Sequence, residues 1–172
     1  MLEAPGKEEA RDVGARRWIA VLLVAVSAAG CAPKRIFLED RGAADADSAV
    51  GTRAVALAKE QIGTPYVFGG CRPEAGFDCS GLVQWVYGQC GVSLPRSVDE
   101  LAQSGRPIDN AEVKPGDLVF FVLVGRDGPD HVGIYTEKHR FVHAPRTGTV
   151  VRTESLNDAW WRRRWTSSRR VD

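Results

Sequence analysis

The chain has 172 residues, 44% of them hydrophobic, with 23 Lys plus Arg against 22 Asp plus Glu and a net charge of +1. That length and apolar content suffice for one domain with a real core, and the charge balance gives no whole-chain footprint for nucleic acid. Four cysteines are too few for a disulfide scaffold and lack zinc-finger spacing.

Arg16-Arg17 precedes an apolar run from Trp18 to Ala29. The run is shorter than the ~20 residues of a membrane-spanning helix and fits the h-region of a signal peptide, with the arginines as its n-region. Ala28-Ala29-Gly30 leads directly into Cys31. This resembles a bacterial lipobox, whose cysteine is lipidated and becomes the mature N-terminus, although Ala28 stands where Leu is usual. Residues 1–30 are therefore expected to be a lipoprotein signal peptide; a plain secretory signal with an incidental cysteine, or a buried helix, is the alternative. Glu3, Glu8, Glu9 and Asp12 are unusual in an n-region, and a start near Val13 would leave a short basic one. Residues 31–48, rich in Ala, Asp, Gly and Arg, offer little to bury and read as a flexible tether.

The domain is expected over 49–172. Val50, Ala54, Leu57, Ala58 and Ile62 form a helical stripe with Ser48 as N-cap, stopped by Gly63 and Pro65. Cys79 to about Gln89 reads as a buried helix capped by Asp78. Ser97-Val-Asp-Glu100 is a capping-box pattern that opens a short helix ending near Gly105. Lys114-Pro-Gly-Asp117 is a turn into an apolar strand, Leu118 to Val124. His131–Thr136, Arg140–Ala144 and Thr149–Thr153 follow as short strands, and Trp160 to Trp165 as a last strand or helix end. Helices first and an antiparallel meander afterwards predict an α+β domain.

Cys79 is the most informative residue. At the first turn of a helix, unpaired N–H groups and the helix dipole favour a thiolate, which is the nucleophilic form. A small buried hydrophobe is the competing reading. His131 and His143, two of only three histidines, fall on neighbouring strands and would supply a base and its orienting group. His139 lies in a turn and reads as solvated. Cys71 and Cys79, and the two strand histidines, do not match zinc-ligand spacing, so no metal is expected.

Gly63-Thr-Pro-Tyr-Val-Phe-Gly-Gly70, Gly76-Phe-Asp-Cys-Ser-Gly-Leu-Val83, Leu94-Pro-Arg-Ser97, Pro115-Gly-Asp-Leu-Val119, His131-Val-Gly-Ile-Tyr135 and Phe141-Val-His-Ala144 together resemble the NlpC family of cell-wall endopeptidases, in that order. The resemblance covers about Val50 to Val171 and extends to the family's lipoprotein members. It implies a papain-like α+β fold, with N-terminal helices packed on an antiparallel sheet. It also implies hydrolysis of peptidoglycan stem peptides, at the γ-D-glutamyl–diaminopimelate bond or a diaminopimelate cross-link. In that reading Cys79 is nucleophile, His131 base and His143 the third polar residue. Tyr66 matches the tyrosine near the nucleophile, and Asp78 and Ser80 match residues that touch a substrate amine in some members. No cofactor is implied. The expected location is the cell envelope, with a lipid anchor in the outer membrane facing the periplasm; no residue pattern identifies a regulatory adaptor. An amidase or acyltransferase with the same Cys-His site, or a catalytically silent wall-binding lipoprotein, are the alternatives.

Two expectations are geometric. Cys71 and Cys90 fall outside the family pattern; in an oxidising compartment they would either pair as a disulfide or remain separate buried thiols. Strand side chains alternate, so a hairpin setting Thr136 opposite Phe141 would put His131 and His143 on opposite faces. The catalytic reading requires an odd-length loop, with Thr136 opposite Arg140, or a bulge near Gly133. It expects both rings on the face meeting the Cys79 helix end.

Overall fold

The computed structural model describes the backbone of residues 39–171 and side chains from Ala49 onward. The expected signal peptide, lipidation of Cys31 and the first part of the tether lie outside the described residues. Helix α1 spans Glu39–Glu60. It begins inside the stretch read as a tether, so Ser48 is within the helix and not its cap; Ala43, Ala44 and Ala46 are strong helix formers. Its buried stripe is Gly51, Ala54, Val55 and Ala58, with Ile62 past the helix end and 47% exposed. Gly63, at φ 97°, supplies the left-handed turn that ends the run.

A two-stranded ribbon, β1 (Cys71–Arg72) and β2 (Gly76–Phe77), leads into α2, Cys79–Gln89. Helix α2 has the predicted boundaries because Asp78 caps it and its apolar surface is buried. Helix α3, Val98–Leu101, opens with both halves of the Ser97–Glu100 capping box and stops four residues before Gly105.

The six-stranded sheet is antiparallel throughout. Its strands are β3 (Arg106–Ile108), β4 (Leu118–Phe121), β5 (His131–Tyr135), β6 (Arg140–His143), β7 (Arg152–Ser155) and β8 (Trp165–Arg170). The order is β3-β8-β4-β5-β6-β7, so β4 to β7 form the expected meander. The last strand returns to pair beside β4, and a short helix, α4 (Ala159–Arg162), precedes it. Strand β4 ends at Phe121 instead of Val124 because Leu123 and Val124 donate their N–H groups to the Asp130 carboxylate at 2.8 Å each, folding the chain into a loop.

The sheet is buried on both faces. Leu118, Phe120, Val132, Ile134, Val142 and Ala144 pack with α1 and α2. Val119, Phe121, Tyr135 and Phe141 face the other way and are covered by Leu156 and Trp161. Double burial explains why β4 reads as a continuous apolar run instead of alternating. These are the predicted α+β layers: helices on an antiparallel sheet, with the nucleophile candidate at the N-terminus of α2.

Candidate active site

The platform under Cys79 is assembled by Asp78. Its Oδ1 accepts from Gly81 N at 2.7 Å, capping α2, and its Oδ2 accepts from Gly69 N at 2.9 Å. Arg96 closes the arrangement with a bidentate grip, Nη1 to Oδ1 at 2.9 Å and Nη2 to Oδ2 at 2.6 Å, and a further bond to Ser80 Oγ at 2.7 Å. A fork of this kind is both strong and directional. Arg96 was visible in the sequence only as part of Leu94-Pro-Arg-Ser97, with no role. The amine-binding role carried over to Asp78 and Ser80 meets a competitor here, because both Asp78 oxygens and the Ser80 hydroxyl are held by Arg96.

Cys79 keeps part of its surface open to solvent. Burial of the sulfur pushes its pKa up to about 11, and the Asp78 charge adds to that rise. Backbone N–H groups of Val132, Ser80 and Cys79 itself pull the other way. The helix terminus therefore contributes as expected but is outweighed, and the resting group is a thiol. Asp78, although a cap, does act on the sulfur. The N–H of Val132 that meets the sulfur belongs to the amide following His131, so Cys79 lies against the strand that carries this histidine.

The histidine pair forms as the register argument requires. Ile134 pairs with Val142 and Tyr135 with Phe141, and Thr136 N donates to Arg140 O at 2.8 Å. The three-residue loop is closed by Arg140 N donating to Glu137 O, with Lys138 and His139 at φ 55° and 56°. His139 is an exposed turn residue. The odd loop, with no bulge in β5, brings His131 Nε2 within 2.7 Å of His143 Nδ1. Gly133 has a different use from the one expected: it lies between the two histidines, and a Cβ there would come within 2.6 Å of Phe141 Cδ2 and 3.3 Å of His143 Cβ. The shared face also differs from the expectation. Both rings lie among Phe121, Phe141 and Trp161, whereas the body of α2 packs on the opposite face. Cys79 reaches β5 through the Val132 amide.

His131 is 3% exposed and His143 fully buried. Burial lowers the His131 pKa to about 4, opposed by the neighbouring Asp130 charge, and lowers that of His143 well below 6.5, with His131 and Arg152 adding to the effect. A neutral imidazole has the protonation state that a general base toward a neutral thiol needs. The acid limb of kcat/KM is accordingly expected near pH 4, well under the ordinary histidine value of 6.5. Asp130→Asn removes the one charge that favours the imidazolium and should move that limb lower still. A pH profile with its limb at 6.5 in both proteins would show that His131 does not titrate as the essential base.

Tyr66 is partly buried, and its pKa is raised by burial, then by its proximity to Cys79 and Asp78, against a lowering by Arg96. This places its phenol in the electrostatic neighbourhood of the nucleophile. The Cys71–Cys90 bridge does not form: both are free thiols. Cys71 pairs with Phe77, just ahead of α2, whereas Cys90 follows its last turn. Among the described residues no three His, Cys, Asp or Glu side chains converge as a metal-ligand set.

The model of the NlpC/P60 family matches residues 63–170. Murein DD-endopeptidase MepH of Escherichia coli is 41% identical over 135 residues, 74% of this chain and 50% of that protein. The gamma-DL-glutamyl hydrolase of Bacillus subtilis is 42% identical over 116 residues, 67% of this chain and 28% of that protein. The chain thus spans half or less of the length of these two relatives. The crystal structure of the NlpC/p60 domain of the peptidoglycan hydrolase SagA aligns with a TM-score of 0.62 at 34% identity, over 70% of this chain and 98% of that domain.

Proposed function

The chain belongs to the NlpC/P60 family, and on that premise we propose that it is a cysteine endopeptidase of peptidoglycan. The observation that carries the reading is the constellation itself: Cys79 at the start of α2, its sulfur on the Val132 amide, and His131 bonded to His143 at 2.7 Å. In the proposed reaction His131 accepts the Cys79 proton as sulfur attacks the amide carbonyl, then passes it to the departing amine. Water resolves the acyl-enzyme with His131 again as base. The N–H groups around the sulfur, with the Tyr66 hydroxyl, would hold the oxyanion. The bond cleaved is an amide of the stem peptide or its cross-link, as the relatives' names, a DD-endopeptidase and a γ-DL-glutamyl hydrolase, suggest. We further propose export and a lipid anchor at Cys31 in the outer membrane, facing the periplasm. Support comes from Arg16-Arg17, the apolar run and the small residues before Cys31.

Digestion of purified muropeptides, read by mass spectrometry, tests the activity. Products split within the stem or cross-link are expected; release of the stem from the glycan would make it an amidase, and wall binding without cleavage would leave a silent binder. Labelling with a fatty acid in a bacterial host tests the anchor, with label expected on the wild type and lost in Cys31→Ser.

A further inference from the structure

His131 Nε2 and His143 Nδ1 meet each other at 2.7 Å. His143 Nε2 is buried and has no hydrogen-bond partner. Its surroundings are aromatic: the Trp161 ring lies 4.9 Å away at an interplanar angle of 88°, and Phe141 at 4.9 Å and 56°. The Trp161 ring centroid also lies 6.0 Å from that of His131, and it meets Phe121 and Phe141 in T-shaped contacts at 5.0 Å each. The indole is itself 7% exposed, on α4, whose start is fixed by Asp158 accepting from Trp160 N at 2.6 Å.

The orphaned nitrogen constrains where the protons sit. For His131 to take the thiol proton at Nδ1, its own hydrogen must be on Nε2. That hydrogen is donated to His143 Nδ1, 2.7 Å away, so His143 carries its hydrogen on Nε2, in the aromatic pocket. In the opposite tautomer His143 donates from Nδ1, His131 is protonated at Nδ1, and the base has nothing with which to accept. The two states differ in what His143 Nε2 presents to the pocket, an N–H or a lone pair. An aromatic face is electron-rich and attracts an N–H while repelling a lone pair. The imidazole and indole planes are nearly perpendicular, at 88°, the relative orientation that an N–H directed at an aromatic face requires.

We propose that Trp161 is a positioning residue for the His131–His143 pair: its ring takes the His143 Nε2–H and so keeps His131 Nδ1 open to the Cys79 proton. The inference rests on the cysteine-hydrolase reading for its catalytic meaning, but the tautomer itself can be read without any substrate. No other element supplies an acceptor to this nitrogen among the described residues, which is why α4, far from Cys79 in sequence, belongs to the site.

The test is a long-range ¹H–¹⁵N correlation spectrum of the histidine side chains in the full chain at neutral pH, with kcat and KM measured in parallel on muropeptides. In the wild type His143 is expected as the Nε2–H tautomer, its exchangeable proton displaced by the indole ring current. Trp161→Phe, which keeps an aromatic face, should retain that tautomer with a smaller displacement and most of kcat. Trp161→Leu should populate both tautomers and lower kcat about tenfold or more while KM changes little. A wild-type His143 protonated at Nδ1 overturns the proposal, as does a folded Trp161→Leu with the wild-type tautomer and kcat. Should Trp161→Leu fail to fold, the wild-type spectrum and Trp161→Phe decide. The expected tautomers in a protein that cleaves no muropeptide would uphold the proton arrangement and remove the hydrolase reading instead.

Discussion

Cys79→Ala is expected to abolish muropeptide hydrolysis, by a factor on the order of 10⁴ to 10⁶ in kcat, in a protein that unfolds like the wild type. The loss follows from the position of the sulfur. It accepts from the Val132 amide, which follows His131 in the chain. The fold should tolerate the change because the side chain is partly exposed and Ala suits a first helical turn. The cap that holds the turn, Asp78 on Gly81 N, does not involve the sulfur. His131→Ala should cost a comparable factor, and the double variant little more than either alone, since nucleophile and base act as one unit. Turnover in the single variants at wild-type rates, or losses that multiply in the double, would contradict a shared step. Each measurement needs an unfolding curve beside it, because His131 is buried between Phe121 and Trp161 and its removal also empties space among these aromatic rings.

The parts of this architecture legible in the sequence are those encoded locally. Asp78 ahead of an apolar run marked the start of α2, and Ser97 with Glu100 marked α3, because caps act within four residues. The histidine register was also legible as a condition: strict alternation meant that only an odd loop could bring the rings together, and Thr136 opposite Arg140 meets it. Strand β8 was not legible as the neighbour of both β3 and β4. Its polar Thr166-Ser-Ser-Arg169 run carries little apolar signal, and its place is set by long-range ladders and by Arg170, whose guanidinium grips the Asp117 carboxylate at 2.7 Å through both Nε and Nη2.

The site shows the same division. Residue types and spacing pointed to Cys79, His131 and His143, but the balance of fields around them depends on burial. The helix terminus lowers the thiol pKa, as expected, and desolvation together with Asp78 overrides it. Arg96 and Trp161 each meet a residue 18 positions away in the chain, Asp78 and His143 respectively, and no local pattern encodes such contacts. Of the two alternatives for Cys71 and Cys90 the free thiols are found, because an oxidising compartment favours a bridge only where the fold brings two sulfurs together.

Gly81→Ala should destabilise the protein and damage the site together, although helix propensity alone argues for the reverse. Replacing Gly by Ala inside a helix ordinarily gains about 1 kcal/mol. Here a Cβ at position 81 would come within 2.0 Å of the Gly70 carbonyl oxygen and 3.0 Å of Asp78 Oδ1. The carbonyl cannot step aside cheaply, since it accepts from Asp78 N at 3.0 Å while Gly70 N is held by Val67 O at 2.9 Å. Gly70 itself is wedged so closely against Gly76 O that a Cβ on it would lie 2.4 Å away. The helix N-terminus must therefore move, and with it Cys79. Overpacking of this kind costs about 1–3 kcal/mol, and a shift of ~1 Å in a reacting group lowers the rate about 10²-fold. Gly88→Ala is the matched control, in the same helix with open space around it, and should stabilise the fold with unchanged kcat/KM. Denaturant unfolding and muropeptide kinetics on the two variants separate propensity from close approach. If both substitutions stabilise and both leave kcat/KM intact, the Gly70–Gly81 contact does not set the position of the nucleophile.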